Sequence, residues 1–232
     1  MRRHNIFVIP EYMEKEMLIL QQNARKLGID LSEIQLTQFA LYQKELLKWN
    51  ATINLISEKS SQEITSRHFL DSLTALPFIE KKNARIIDIG SGAGFPGLPL
   101  KIASPDLQLY LLETNRKKVS FVKHIIRLLN LTQTFVLHDR VENLLKSAAW
   151  KDFFDILISR AAFKLPEMLP LGAFFLMTGG KLVALKGHDI TAEFSQGAAV
   201  APLYGFDQLF QHDTNRDSSG IPRKIIIGKK LK

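Results

Sequence analysis

A glycine-rich loop between a short apolar strand and a helix constrains this chain more than any other segment of its sequence. Residues 85–89 read RIIDI, and residues 88–97 read DIGSGAGFPG, with four glycines. Glycine lets the backbone approach a ligand closely, and the N–H groups that open the following helix point toward such a ligand. We therefore predict a ligand-binding loop at the carboxyl end of a strand. The alternative is a tight strand–helix turn that binds nothing.

Apolar strands alternate with helices after residue 84. This pattern indicates an α/β fold with a parallel sheet that is covered on both faces. A turn at Gly179-Gly180 is expected to precede the fifth strand. The expected strands are 85–89, 107–112, 134–137, 155–158, 180–185 and 225–227, and the expected helices between them are 96–103 and 117–130.

The first 84 residues predict helices without strands. Capping-box pairs, in which Ser or Thr is followed three residues later by Glu or Gln, mark two helix starts. The expected helices are residues 12–26, 32–49 after the pair Ser32 and Gln35, and 60–76 after the pair Ser60 and Glu63. We expect two parts, an N-terminal helical cap of residues 1–84 and a core of residues 85–232, packed as one compact unit.

Two cofactors compete for the glycine loop. Gly92, Gly94 and Gly97 satisfy the dinucleotide pattern G-x-G-x-x-G, and Glu113 follows about 20 residues later, where that pattern has a ribose-binding acid. The same acid would serve the ribose of S-adenosylmethionine (SAM). A P-loop is excluded because no Gly-Lys-Ser/Thr follows the glycines.

The acid before the loop favours SAM. Asp88 would repel the pyrophosphate of NAD but attract the ammonium group of SAM, which carries no phosphate. A pyrophosphate beside Gly92 would also leave Gly90 and Ser91 unexplained. An NAD-dependent dehydrogenase remains the alternative.

The absence of cysteine narrows the target of methyl transfer. Methylation at C5 of a pyrimidine usually needs a cysteine, and the chain has none. Amino-group methylation commonly uses an Asp/Asn/Ser-Pro-Pro-aromatic loop, where this chain reads Ser159-Arg160-Ala161. A ring nitrogen such as guanine N7 needs neither device, and Arg160 would donate to guanine O6. The alternative for Arg160 is a surface or phosphate-contact arginine.

The net charge of +8 favours an anionic partner, with nucleic acid first. Residues 85–232 hold 20 of the 31 basic and 13 of the 23 acidic side chains, and therefore carry +7 of the net charge. Solubility alone is the alternative explanation.

No apolar run reaches the roughly 18 residues of a membrane span, and residues 6–9 are too short for an export signal. We expect a cytoplasmic protein without a membrane partner, and no metal, because the six histidines lack ligand spacing.

Several segments together resemble the GidB/RsmG family of methyltransferases, over roughly residues 31–230. The segment RHFLDS at 67–72 makes the match specific. The resemblance implies a Rossmann-like SAM-dependent methyltransferase fold, with a mostly parallel seven-stranded sheet, helices on both faces and an N-terminal helical extension. It further implies methylation of guanine N7 in 16S rRNA of the small ribosomal subunit. The other matching segments are 48–50 with 54–55, 88–97, 158–161, 184–187 and 223–227.

The resemblance also implies roles for particular residues. Glu113, often Asp in relatives, would bind the ribose, and Val141 and Glu142 would flank the adenine. Arg160, Lys186 and Arg140 would be active-site or RNA-binding cations. The cofactor contacts that the resemblance implies are Gly90, Phe95, Glu113, Val141, Glu142 and Arg160, and the glycine-loop pattern adds Asp88, Gly92 and Gly94. We expect a monomer that binds 16S rRNA or the small subunit. A ribosome-assembly factor without catalytic activity is the remaining alternative.

Other residues near these motifs have plainer interpretations. Arg67 and Asp71 lie one helical turn apart and would form an ion pair with each other, and a direct substrate role is the alternative. His68 is interpreted as a packing residue rather than a catalyst. The aromatic residues interpreted as core are Phe39, Tyr42 and Trp49.

Overall fold

The computed structural model describes residues 11–57, 63–214 and 223–231, and begins with helices as predicted. Gly28, at φ 77°, follows the first helix, and the Ser32 side chain accepts the Gln35 N–H at the start of the second. Ser60 and the apolar segment 6–9 lie outside the described residues. The N-terminal helices are α1 (Glu11–Lys26), α2 (Glu33–Asn50), a π-helix (Thr65–Leu70) and α3 (Asp71–Leu73).

The third predicted helix ends at Leu73, earlier than the expected residue 76. The Thr74 hydroxyl donates to the Asp71 carbonyl at 2.5 Å, a local bond that competes with continued helix. A separate 3-10 helix, Leu76–Phe78, then accommodates Pro77 near its start.

Seven strands form one sheet in the order β3-β2-β1-β4-β5-β7-β6. Only β7 runs antiparallel to the others, which confirms a mostly parallel sheet. The strands are β1 (Arg85–Ile89), β2 (Gln108–Glu113), β3 (Thr134–His138), β4 (Phe154–Arg160), β5 (Leu176–Lys186), β6 (Phe210–Thr214) and β7 (Arg223–Lys229). The helices that alternate with them are α4 (Gly97–Ala103), α5 (Arg116–Leu128), α6 (Val141–Leu144), α7 (Leu165–Phe175) and α8 (Thr191–Val200).

The prediction of a turn at Gly179-Gly180 is wrong, because both glycines lie within β5. The register of β5 against β4 shifts between Phe154 and Ile156, as at a β-bulge. Gly179 has φ 82° there, and its N–H donates to the Lys230 carbonyl at 2.8 Å. The glycine pair therefore bends a strand rather than starting one.

Hydrophobic side chains cover both faces of the sheet. On one face, Phe39 and Leu46 of α2 share a buried cluster with Ile86 of β1, so the N-terminal helices pack against the sheet. On the other face, Leu169 of α7 packs with Ile87. Among the described residues, no helix is long and apolar enough to cross a membrane. The carboxyl ends of the parallel strands meet at one edge, where the chain order reverses between β1 and β4, which is where α/β sheets bind ligands.

Candidate active site

A cavity of about 400 Å³ lies at the carboxyl ends of β1 and β2. The loop after β1, the end of β2, the start of α6 and the loop after β4 all contribute to its walls. The predicted site residues in these walls are Gly90, Glu113, Arg140, Val141 and Glu142. Segments that lie far apart in the sequence therefore meet at one cavity.

Gly90 is a position where the backbone itself forms the cavity wall. Its φ is 71°, a left-handed conformation that favours glycine. A Cβ atom on Gly90 would lie 2.6 Å from the Cβ of Ala162, in the loop after β4. The close approach of these two loops therefore requires glycine at this position.

The Glu113 carboxylate ties the glycine loop to the end of β2. Its Oε2 accepts the N–H of Gly92 at 2.9 Å, and its Oε1 accepts the N–H of Asn115 at 2.8 Å. The side chain also lines the cavity, although it is only 8% exposed. It holds the loop in place and places a carboxylate in the cavity wall.

The charges around the cavity suit a cationic ligand with hydroxyl groups. Glu113, Asp139 and Glu142 contribute three carboxylates to its walls, and Arg140 contributes one cation. A pyrophosphate would face this negative field, whereas the ammonium and sulfonium groups of SAM would be attracted to it. The residues present therefore fit SAM better than a dinucleotide.

Asp88 lies beneath the glycine loop rather than in the cavity wall. The side chain is fully buried, and its Oδ2 accepts the Gly97 N–H at 2.9 Å, at the start of α4. Burial raises the pKa of Asp88 to about 7. Among the described residues, its Oδ1 and the Ser91 Oγ are buried without a hydrogen-bond partner.

Arg160, at the end of β4, points toward the N-terminal helices. Its Nη1 donates to the Arg67 carbonyl at 3.1 Å and to Asp71 Oδ2 at 3.3 Å. Its Nη2 donates to His68 Nδ1 at 2.8 Å, and its guanidinium carbon lies 4.9 Å from the centre of the Phe95 ring. Within the described residues these bonds use three of the five N–H groups of an arginine, which leaves two.

The predicted ion pair between Arg67 and Asp71 is wrong. Arg67 pairs with Glu63 on its own helix, and Asp71 pairs with Arg160 across the interface with the sheet. His68 packs as predicted: the residue is 8% exposed and its ring stacks on Phe95 at 4.7 Å between centroids, although among the described residues its Nε2 has no hydrogen-bond partner. Phe39 and Tyr42 are fully buried, and Trp49 packs on the same core, as predicted.

His68 provides a test of this packing through its titration. Burial first, and then the positive charge of Arg160, lowers the pKa of His68 from 6.5 to about 3. Unfolded His68 binds a proton below about pH 6.5, whereas folded His68 does not, so its stabilising contribution is lost as the pH falls through this range. We expect the stability advantage of the wild type over His68→Asn to shrink by about 1.4 kcal/mol per pH unit below pH 6.

Urea unfolding of both proteins at several pH values between 4 and 7 would measure this difference. The raised pKa of Asp88 changes stability with pH in the opposite direction. Asp88 is present in both proteins, however, so its contribution cancels in the difference between them. A difference that does not change with pH would contradict the buried, neutral state of His68.

Lys186, at the end of β5, contacts protein groups rather than the cavity. Its Nζ donates to the Phe163 carbonyl and lies 2.7 Å from Glu193 Oε1. Within the described ranges, no group of three or more His, Asp or Glu side chains is placed to hold a metal ion.

Three residues at the site are not among those predicted from the sequence: Phe163, Asp139 and Glu193. Phe163 and Asp139 line the cavity, and Glu193 anchors Lys186. Phe163 and Asp139 each follow a strand that ends at the ligand-binding edge, a signal that was available in the sequence. Glu193 had no such signal, because its position depends on how α8 packs.

Solved structures of other proteins share this fold. M. jannaschii TYW2, solved in complex with AdoMet, has a TM-score of 0.56 at 18% identity, over 77% of this chain and 78% of that chain. The YcgJ protein from Bacillus has a TM-score of 0.55 at 13% identity, over 71% of this chain and 100% of that chain. At such identities the likeness shows the fold alone, and it confirms the predicted fold class.

Sequence comparisons show the family. The GidB family model, described as rRNA small subunit methyltransferase G, matches residues 35–220. A protein of Syntrophus aciditrophicus named "Ribosomal RNA small subunit methyltransferase G" is 44% identical over 91% of this chain and 88% of its own length. A Chloroflexus aggregans protein of the same name is 40% identical over 77% of this chain and 75% of its own length. The chain therefore belongs to the GidB family, the SAM-dependent methyltransferases that act on guanine N7 in 16S rRNA of the small ribosomal subunit.

Proposed function

We propose that the cavity at the ends of β1 and β2 holds SAM and that the residues beside it orient a guanine of 16S rRNA for methylation at N7. One observation carries this assignment of the site. Gly90, Glu113, Val141 and Glu142, which come from three separate segments, line the same cavity.

Each part of the cavity wall has a role in this proposal. Glu113 accepts the ribose hydroxyls, and Val141 and Glu142 flank the adenine. Gly90 lets the loop backbone approach the ligand, while Gly92 and Gly94 allow the loop conformation. SAM supplies an electrophilic methyl group on a sulfonium.

Three residues outside the cavity wall complete the cofactor and substrate site. Asp88, buried beneath the loop, attracts the ammonium group through its charge and holds the start of α4 through its Oδ2. Phe95 supports the Arg160 guanidinium from below. Arg160 donates its two remaining N–H groups to guanine O6.

The chemistry of N7 explains why no general base is needed. Guanine N7 has a free lone pair and no proton to lose, so the protein has to align the base rather than deprotonate it. The fixed guanidinium of Arg160 contributes to this alignment. Arg140, exposed at the cavity wall, contacts a phosphate of the RNA.

The protein acts as a monomer in the cytoplasm, on 16S rRNA or on the small subunit. The +7 charge of residues 85–232 supports an RNA-binding surface on the same part of the chain as the cavity. Bases of RNA are recognised where strands are unpaired, so the target guanine lies in a loop or an opened junction.

Transfer of a labelled methyl group tests the proposal. The enzyme is incubated with methyl-labelled SAM and either unmodified small subunits or naked 16S rRNA, and the RNA is then digested to nucleosides. We expect the label in 7-methylguanosine, and none on substrate that is already methylated. Label on another base, or no label on either substrate, would contradict it. A thermal shift with S-adenosylhomocysteine but none with NADH provides the cofactor control.

A further inference from the structure

The loop between β4 and α7 turns sharply at the edge of the cavity. Ala161 has φ 58°, a left-handed conformation that costs a non-glycine residue energy and that is frequent at functional sites. The Ala161 N–H still donates to the Leu185 carbonyl at 3.4 Å, so the turn begins directly at the end of the sheet. The next two residues, Ala162 and Phe163, line the cavity.

Phe163 brings a half-buried aromatic ring to one side of this cavity. Its Cε2 lies 3.6 Å from the position that a Cβ on Gly90 would take. In the sheet order β2-β1-β4, Glu113 ends the strand on one side of Gly90, and Phe163 follows the strand on the other side. Phe163 therefore lies at the end of the cavity that is opposite Glu113, the proposed ribose site.

A buried ion pair fixes the backbone on which this ring is mounted. The Lys186 side chain, 7% exposed, donates to the Phe163 carbonyl and pairs with Glu193 Oε1 at 2.7 Å. The same carboxylate oxygen accepts the Leu165 N–H at 2.6 Å. The backbone of the loop is thus held at Phe163 and at Leu165. The Phe163 side chain is therefore positioned before any substrate binds.

We propose that Phe163 is the platform on which the target guanine stacks, and that Lys186 and Glu193 are the residues that position it. The proposal rests on the proposed function, because it assigns a residue to the base of that reaction. Enzymes that modify a base in a nucleic acid hold the extruded base against aromatic side chains. Phe163 lies three residues after Arg160, the proposed partner of guanine O6, so the end of β4 and the loop that follows it carry both the hydrogen-bond donor and the aromatic ring.

Leucine in place of Phe163 has similar bulk but no aromatic ring. This substitution therefore distinguishes stacking of the base on the ring from packing of the side chain. Stacking of a base on an aromatic ring is worth enough that Phe163→Leu should raise the KM for 16S rRNA or small subunits roughly tenfold to hundredfold. Phe163→Trp keeps an aromatic face and should recover most of this loss. The affinity for S-adenosylhomocysteine, measured by calorimetry without RNA, should change less than about twofold in Phe163→Leu.

Two outcomes would overturn the assignment. If Phe163→Leu weakens S-adenosylhomocysteine binding and leaves the KM for RNA unchanged, the ring belongs to the cofactor site. If Leu and Trp behave alike, aromatic stacking is not its role. Transfer by the unaltered enzyme is measured first, and its absence would overturn the proposed function and this assignment together.

The positioning role of Glu193 is tested by a separate substitution. Glu193→Ala should raise the KM for RNA in the same direction as Phe163→Leu, whereas Glu193→Gln keeps an acceptor oxygen and should raise it less. In the Phe163→Leu background, Glu193→Ala should add nothing to the KM, because both changes remove the same ring position. Additive effects of the two substitutions would contradict an action of Glu193 through Phe163.

Discussion

Replacement of Gly90 by alanine is expected to lower the affinity for SAM by at least about tenfold. The added Cβ would lie 2.6 Å from the Ala162 Cβ, and the backbone would have to keep φ 71° with a side chain present. Relief of this overlap must move one of two loops that line the cavity, at a cost of roughly 1–3 kcal/mol. Calorimetric titration with S-adenosylhomocysteine would measure the loss.

Gly92→Ala is the matched control for this substitution. Gly92 also has a positive φ, 58°, but a Cβ there would meet no heavy atom within 4 Å. This variant carries only the backbone cost of about 1 kcal/mol and should lose less affinity than Gly90→Ala. Equal losses in the two variants would show that backbone strain, and not the contact between the loops, controls binding.

Loss of the Arg160 guanidinium should reduce methyl transfer to guanine by roughly a hundredfold or more in kcat/KM. A donor that is already fixed before the substrate binds contributes most when it points at the reacting group. Arg160 is fixed in this way by Arg67, His68 and Asp71. Arg160→Lys retains a charge but not the planar fork of donors, so it should recover only part of the activity.

A double substitution distinguishes lost chemistry from lost folding. In Arg160→Ala alone, the buried Asp71 carboxylate loses its ion pair with Arg160, and breaking a buried ion pair costs about 3–5 kcal/mol. Arg160→Ala combined with Asp71→Ala also removes this buried carboxylate and should restore much of the stability. Activity should stay low in the double variant, as measured by labelled transfer. Recovery of activity together with stability would assign Arg160 a purely structural role.

Much of the architecture follows from local patterns. The strand 85–89 was predicted at its observed bounds, Arg85–Ile89, because a short apolar run that leads into glycines has few other conformations. The capping box of Ser32 and Gln35 likewise marks the observed start of α2. The Gly179-Gly180 pair was misassigned, because a bulge within a strand and a turn before it use the same residue type.

The contacts of individual site residues were harder to predict. Arg67 and Asp71 have helical spacing for an ion pair, but each has a better-placed partner in Glu63 and Arg160. The pairing of Asp71 with Arg160 joins residues 89 positions apart. No pattern within one helix contains that information.

The sequence by itself determined six of the seven strands, the position of the glycine loop and the family that the chain resembles, because these depend on neighbours along the chain. Strand β6, Phe210–Thr214, was not predicted. Tertiary structure alone decided that Glu113 and Phe163 lie on opposite sides of Gly90. It also decided that Arg160 faces the N-terminal helices and that Glu193 anchors Lys186. These arrangements depend on the order of strands in the sheet and on the packing of α8, which bring together side chains that are distant in sequence.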